Sequence, residues 1–205
     1  GWEVTRLYYR IMGADGSLHL LSQGLEGEAL LPHYQTLKTL ASLPDAVRPL
    51  INTCLRLAGE QRLLHLSGGV RSGGLSFRDY YEVTADLLAF QAAFVRFMKE
   101  QRLDALLLSV VAVPAFLHTS SKDLTPSLSY CFLLNLLRWP AGVVPVTRVR
   151  EDEAYYYDTQ QLPPNQRDTL AARAARQMRG AAGLPVGVQL ATVHNEDELC
   201  LHLMA

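Results

Sequence analysis

Several stretches of the chain carry residue types that could do chemistry. Thr119-Ser120-Ser121-Lys122 sets two hydroxyls beside an amine. A serine–lysine relay needs a neutral amine near the serine oxygen, which requires desolvation or cationic neighbours. Lys122 instead lies in a polar loop beside Asp123, which would hold it protonated, so coil is the expectation. The run SGGVRSGG, residues 67–74, has the glycines of a phosphate cradle. It lacks the Gly-Lys-Ser/Thr ending that places a lysine and a metal-binding hydroxyl, and no clear strand precedes it. A linker is expected there. The six histidines show no i,i+4 pairing and no nearby cysteine, so no metal site is expected, and no cofactor. Tyr155-Tyr156-Tyr157 lies among acidic residues and reads as surface loop. Cys54, Cys131 and Cys200 are odd in number and far apart, each in an apolar helical pattern. They read as buried free thiols in a reducing compartment.

Composition narrows the class. The 205 residues are 49% hydrophobic and 19% charged, with a formal net charge of −1. That is core-rich and excludes a basic nucleic-acid surface. Only Lys38, Lys99 and Lys122 are lysines among 19 basic residues; the rest are arginines. Arginine suits interfaces, and a GC-rich genome also favours it. No run supplies the roughly 20 mostly apolar residues of a membrane span: 105–117 is short and holds Pro114, and 124–146 holds Asn135, Arg138, Pro140 and Pro145. The chain opens Gly1-Trp2 without Met, so a processed or trimmed start is expected, with no secretory signal at its front.

The elements that must position any site follow from periodicity. Helices are expected at 4–12, 28–43, 46–58 and 77–102, with a short helical turn at 18–22. The first two-thirds of that stretch, residues 1–66, forms a helical segment; 67–76 is the Gly/Ser linker; 77–205 is an α/β region. Strands are expected at 105–113, 143–149 and 186–193, all buried on both faces. Helices at 126–137 and 165–179 alternate with them, and Asn195 with Glu198 forms a capping box for a last helix. The fold class is α/β, with a mixed, partly parallel sheet covered by helices.

Leu136 to Val149 reads LLRWPAGVVPVTRV, a Trp-Pro-Ala-Gly corner feeding a β-branched strand. Pro140 and Pro145 fix the strand's entry and edge, and Gly142 permits close backbone approach. About 35 residues on, Gly183-Leu184-Pro185 turns into the last strand, which carries Gln189 and leads to Glu198-Leu199-Cys200-Leu201. These motifs resemble the C-terminal end of the amidase signature family and, within it, the fatty acid amide hydrolases. The likeness is carried by 140–147, 183–189 and 198–201. Residues 90–114 fit more loosely, and the first 80 match in layout more than in letters.

That family cleaves amides with a Ser–cis-Ser–Lys triad held in a Gly-Gly-Ser-Ser-Gly-Gly loop. No such loop occurs in these 205 residues, so no catalytic residue is carried over. The resemblance implies that Tyr130, Cys131 and Leu134 are candidates for the wall of an acyl pocket, with ordinary core as the other reading. It also implies that the helix pair 28–58 falls where animal members carry a membrane-docking cap. The function expected is a catalytically inactive, amidase-like accessory or structural subunit of a larger assembly. Other protein chains would cover its sheet edge and apolar helices. The alternative is the C-terminal part of an active serine amidase whose catalytic half lies outside this chain. A membrane-surface contact through 28–58 is a third reading. The setting expected is intracellular, in a mitochondrial or membrane-associated complex.

Overall fold

The computed structural model describes residues 2–16, 23–25, 27–31, 34–70, 73–155 and 168–205. The expected turn at 18–22, Tyr156, Tyr157 and the start of the helix expected from 165 lie outside them. The chain divides into two compact units: Gly1–Asp86 with Pro163–Thr169, and Leu87–Leu162 with Leu170–Ala205.

The first unit is helical among its described residues. It holds α1 (Trp2–Met12), α2 (Gln35–Ala41), α3 (Arg48–Leu57) and α4 (Gln61–Gly69). Residues 28–31 are not helical, contrary to the expected start at 28. Leu31 precedes Pro32, whose ring disfavours helical backbone at the residue before it. At the other end α4 runs through Ser67, Gly68 and Gly69, so the expected linker is helix over its first three residues. Tight packing explains this. Gly69 meets the backbone of Tyr9 on α1, and a Cβ at Gly13 would overlap the Gly69 carbonyl oxygen. Two glycines thus let α1 and α4 cross at backbone distance. Tyr9 is buried at this crossing, and burial pushes its phenol well above the ordinary range.

Arg48 ties the unit together. Its buried guanidinium donates to the carbonyls of Leu40 (2.9 Å) in the last turn of α2 and Leu43 (3.2 Å) just after it, and of Ser67 (3.2 Å) and Val70 (2.7 Å) at the end of α4. Asp45 Oδ1 stands 2.9 Å from Nε, near enough for attraction but off the N–H direction. Orphan carbonyls at two helix ends therefore find donors in one planar fork. A second clasp joins segments distant in sequence. Arg62 pairs with the buried Asp168, and Glu60 accepts from the N–H and hydroxyl of Thr169, both at 3.0 Å.

Helix α5 (Phe77–Gln101) spans the unit boundary. It starts at Ser76, whose Oγ accepts from the Asp79 N–H (3.1 Å) and donates to the Asp79 carboxylate (2.8 Å). It ends at Arg102 in the left-handed region, φ 54°, where Leu103 N–H returns to the Met98 carbonyl.

The second unit holds β1 (Ala105–Ser109), α6 (Ser129–Leu137), β2 (Ala141–Arg148), α7 (Thr169–Gln177, from Leu170 onward), β3 (Pro185–Thr192) and α8 (Asp197–Met204). The α/β class stands, but the sheet is not mixed. Its order is β1-β3-β2, and both pairings are antiparallel. The strand–helix–strand passage from β1 to β2 does give those two the same direction. β3 inserts between them, so no parallel pair forms among the described strands. The strands are also not buried on both faces. Leu107 is 66% exposed, Val143 49% and Val146 56%. β1 stops at Ser109, four residues before the expected end.

One face of the sheet packs on α5 and α6. Met98, Leu137 and Trp139 form a buried cluster with Phe90, Phe94, Leu106 and Leu133 around it. The rings of Phe94 and Trp139 meet edge to face at 5.7 Å, an arrangement worth about 1 kcal/mol beyond area burial. On the other face α8 packs against β2, and the Met204 side chain occupies the space a Cβ at Gly142 would need. Gly142 thus makes room for a side chain rather than for backbone. α8 is not capped as expected. Asn195 has φ 68° and the helix starts at Asp197 behind Glu196, with no side-chain cap. Thr192 Oγ1 donates to the Glu196 carbonyl instead (2.8 Å), fixing the turn from the strand side. Cys54 corrects another expectation, for it is exposed; Cys131 is half-buried and Cys200 buried.

Arg48→Met should cost about 3–5 kcal/mol in urea unfolding, because four carbonyls lose a buried charged donor at once. Gly69→Ala should destabilise by about 2 kcal/mol through its clash with Tyr9. Gly68→Ala, one residue away, exposed and facing open space, should stabilise by about 0.5–1 kcal/mol in the same assay.

Candidate functional site

The corner that opens β2 is built by the end of α6. Arg138 closes that helix at φ 58°, and the Trp139 N–H returns to the Leu134 carbonyl (3.3 Å). The indole of Trp139 is anchored in the core, so the chain leaves in one direction. The Pro140 carbonyl accepts from the Thr192 N–H (3.2 Å) and seats the strand on β3. β2 is an edge strand, and its register shifts between Pro145 and Thr147. Proline is tolerated at such an edge because the ladder needs no donor on the open side. At the far end, Gly183 turns at φ 82° and its N–H donates to the Val149 carbonyl (2.8 Å). Pro185 then enters β3 opposite Arg148.

These motifs frame an apolar cavity of about 460 Å³ in the second unit. The 110–116 segment forms one wall, Leu128 another, and Val143 and Pro145 of β2 with residues 185–187 of β3 the floor. The lining carries no charged side chain. The hollow is half-open to solvent, and its volume lies within the range of small-molecule sites. Sequence periodicity had spread strand over most of the 110–116 wall. Its signal was the run Val-Val-Ala-Val-Pro-Ala-Phe, apolar throughout but stopped by Pro114.

Gln189 lies beside this floor. It stands opposite Leu108 on one side and Val143 on the other, so its side chain shares a face with Val143. It is 5% exposed, and its Oε1 accepts from the Cys131 thiol at 3.7 Å. The same thiol reaches the Val110 carbonyl at 3.4 Å. Burial pushes the Cys131 thiol above its usual range. Tyr130 is 45% exposed and Leu134 is buried among core residues. Neither contributes to the lining, and Cys131 touches it only through Val110. Among the described residues no cluster of His, Cys, Asp and Glu could hold a metal ion. No helix there is long and apolar enough to cross a membrane.

An antiparallel sheet entered through Trp-Pro-Ala-Gly and Gly-Leu-Pro corners, over an apolar hollow, is the geometry these motifs build. The chain belongs to the amidase family, whose model matches residues 31–201. It is 27% identical over 202 residues to fatty acid amide hydrolase 1 of Caenorhabditis elegans, covering 98% of this chain and 34% of that protein. It is 30% identical over 197 residues to fatty-acid amide hydrolase 1 of Sus scrofa, covering 93% and 32%. A solved fatty acid amide hydrolase aligns with a TM-score of 0.48 at 18% identity, over 92% of this chain and 35% of that one. The chain thus spans about a third of the length of the curated relatives it matches.

Iodoacetamide at pH 8 should alkylate the exposed Cys54 first and Cys131 several-fold more slowly, since Cys131 is half-buried and desolvation leaves it less thiolate. Peptide mass mapping over time checks the order.

Proposed function

We propose that this chain is a non-catalytic, substrate-lining part of a fatty acid amide hydrolase-like protein. The observation that carries this is the uncharged cavity of about 460 Å³, floored by the two strands that bear the family's motifs. Such a hollow holds an apolar acyl chain and offers no nucleophile–base pair of its own. The sequence holds no Gly-Gly-Ser-Ser-Gly-Gly loop, so the bond-breaking serines and lysine are supplied from outside these residues.

A second reading is the accessory one, in which the chain is a catalytically inactive structural subunit of a larger assembly. The exposure of Leu107 on β1 and of Val143 and Val146 on β2 supports it, because edge strands with large apolar residues in water call for cover by another chain. Leu50 and Leu57 on α3 are exposed at 69% and 85% and support contact of the 28–58 region with a membrane surface or a partner. An intracellular setting, in a mitochondrial or membrane-associated complex, belongs to this second reading.

A fluorophosphonate probe applied to the native particle separates the two. The first reading expects a labelled serine outside these 205 residues, on material that stays with them, and release of fatty acid from a fatty acid amide. Co-purifying chains with no labelled serine and no amide turnover favour the accessory subunit. A labelled serine within residues 1–205 overturns both.

A further inference from the structure

Helix α5 uses one side and leaves the other in water. Val83 and Met98 are buried, Phe90 and Phe94 pack on the core, and Gln91 donates to the Leu136 carbonyl (2.6 Å). Helical spacing puts these residues on one side. The opposite side is exposed along most of the helix. Tyr81 and Leu88, each 60% exposed, stand on it. Its charges follow an order. Arg78, Glu82 and Asp86 lie in the N-terminal half, and Arg96, Lys99 and Glu100 in the C-terminal half. The helix dipole does not account for Asp86 or Arg96, because its influence fades within the first and last turns. Glu82 pairs with Arg78 (3.1 Å) and Asp86 with Arg10 (3.6 Å), whereas Arg96 and Lys99 form no ion pair among the described residues. Read in reverse, the order is its own complement. Arg78 comes level with Glu100, Glu82 with Lys99 and Asp86 with Arg96, all about a turn or less out of register.

We propose that the outer side of α5 is an interaction surface for a second copy of this chain, packed antiparallel about a two-fold axis level with residues 90 and 91. A two-fold contact must be self-complementary, and this face meets that condition charge by charge. A partner of one sign would be attracted at one half and repelled at the other. Leu88 of each copy then comes level with Ala93 of the other, whose small side chain admits it and lets the axes approach to about 8–10 Å. The inference rests on neither reading of function given above. It concerns a copy of the same chain, and its test labels no serine.

Sedimentation equilibrium of the full chain reads the association. A monomer–dimer equilibrium is expected, with a Kd on the order of 10 μM, as suits one helix pair at the small end of interfaces. Raising NaCl from about 50 to about 500 mM should weaken it about tenfold, since exposed ion pairs are screened. The double variants Arg96→Glu/Lys99→Glu and Glu82→Lys/Asp86→Lys should each stay monomeric at about 100 μM, because like charges then face each other. Mixed in equal amounts, the two should form a heterodimer at least as tight as the original dimer, since every facing pair is again opposite in sign. All four positions are exposed, and circular dichroism checks that the helix is kept. Should a reversal unfold the chain, Arg96→Gln/Lys99→Gln carries the test, with about tenfold weakening expected. A monomer at every concentration overturns the proposal. So does a dimer indifferent to both reversals, which would use another surface, or two variants that do not pair on mixing. Cross-links from Lys99 to a different chain in the native particle, with the free chain monomeric, would give the face to another partner and overturn it as well.

Discussion

β3 carries a hydrogen-bonded neighbour on each side: Leu190 stands opposite Leu107 of β1 and Gly142 of β2. A strand so placed has no free edge, and its register dictates what both neighbours present to each face. Because side chains alternate, a slip of one residue would turn Gln189 toward α8 and bring Leu190 to the cavity side. The bulge between Pro145 and Thr147 and the Gly187 contact with Val143 fix that register from the β2 side. The floor of the hollow depends on this pairing, because it is made of Val143 and Pro145 of β2 beside residues 185–187 of β3.

The first unit solves a different problem. It has little apolar core among its described residues, and its helices are short. Short helices are marginal by themselves, since each leaves several carbonyls without donors. Arg48 answers with one side chain that reaches the ends of two helices. A guanidinium does this better than an ammonium, because its donors lie in a plane and point apart. Gly13 and Gly69 add the backbone-distance crossing of α1 and α4. Polar closure at the helix ends and small residues at the crossing take the place of a large core.

Elements with long periodic patterns were legible from the residues. α1, α3, α5 and α6 fall within a few residues of where apolar spacing put them, and Gly183 sits at the turn into β3 that its sequence setting implied. What failed was what sequence cannot encode locally. Strand order depends on β3 arriving last and entering the middle, which no pattern in β1 or β2 announces. Gly68-Gly69 reads as linker because glycine signals breaks, yet both are helical and Gly69 is what the crossing with α1 requires. Asn195 reads as a cap because its side chain suits one, yet its backbone is left-handed and Thr192 does the fixing. The cavity was invisible because its residues come from four separate segments.

An apolar wall also limits what this part of the molecule can contribute. Contacts between a hydrocarbon chain and Val143, Pro145 or Leu128 are the same before and during the breaking of an amide bond far along that chain. Interactions equal in ground and transition states tighten binding without speeding the chemical step. Loss of the nucleophile in serine hydrolases lowers turnover on the order of 10⁶-fold, which no such wall makes good. In the proposed role these strands therefore set which chain is held and how firmly. Turnover belongs to polar groups that a separate loop must bring to the end of the hollow. In that role the Pro and Gly corners shape the hollow, and the bond-breaking groups come from outside this stretch.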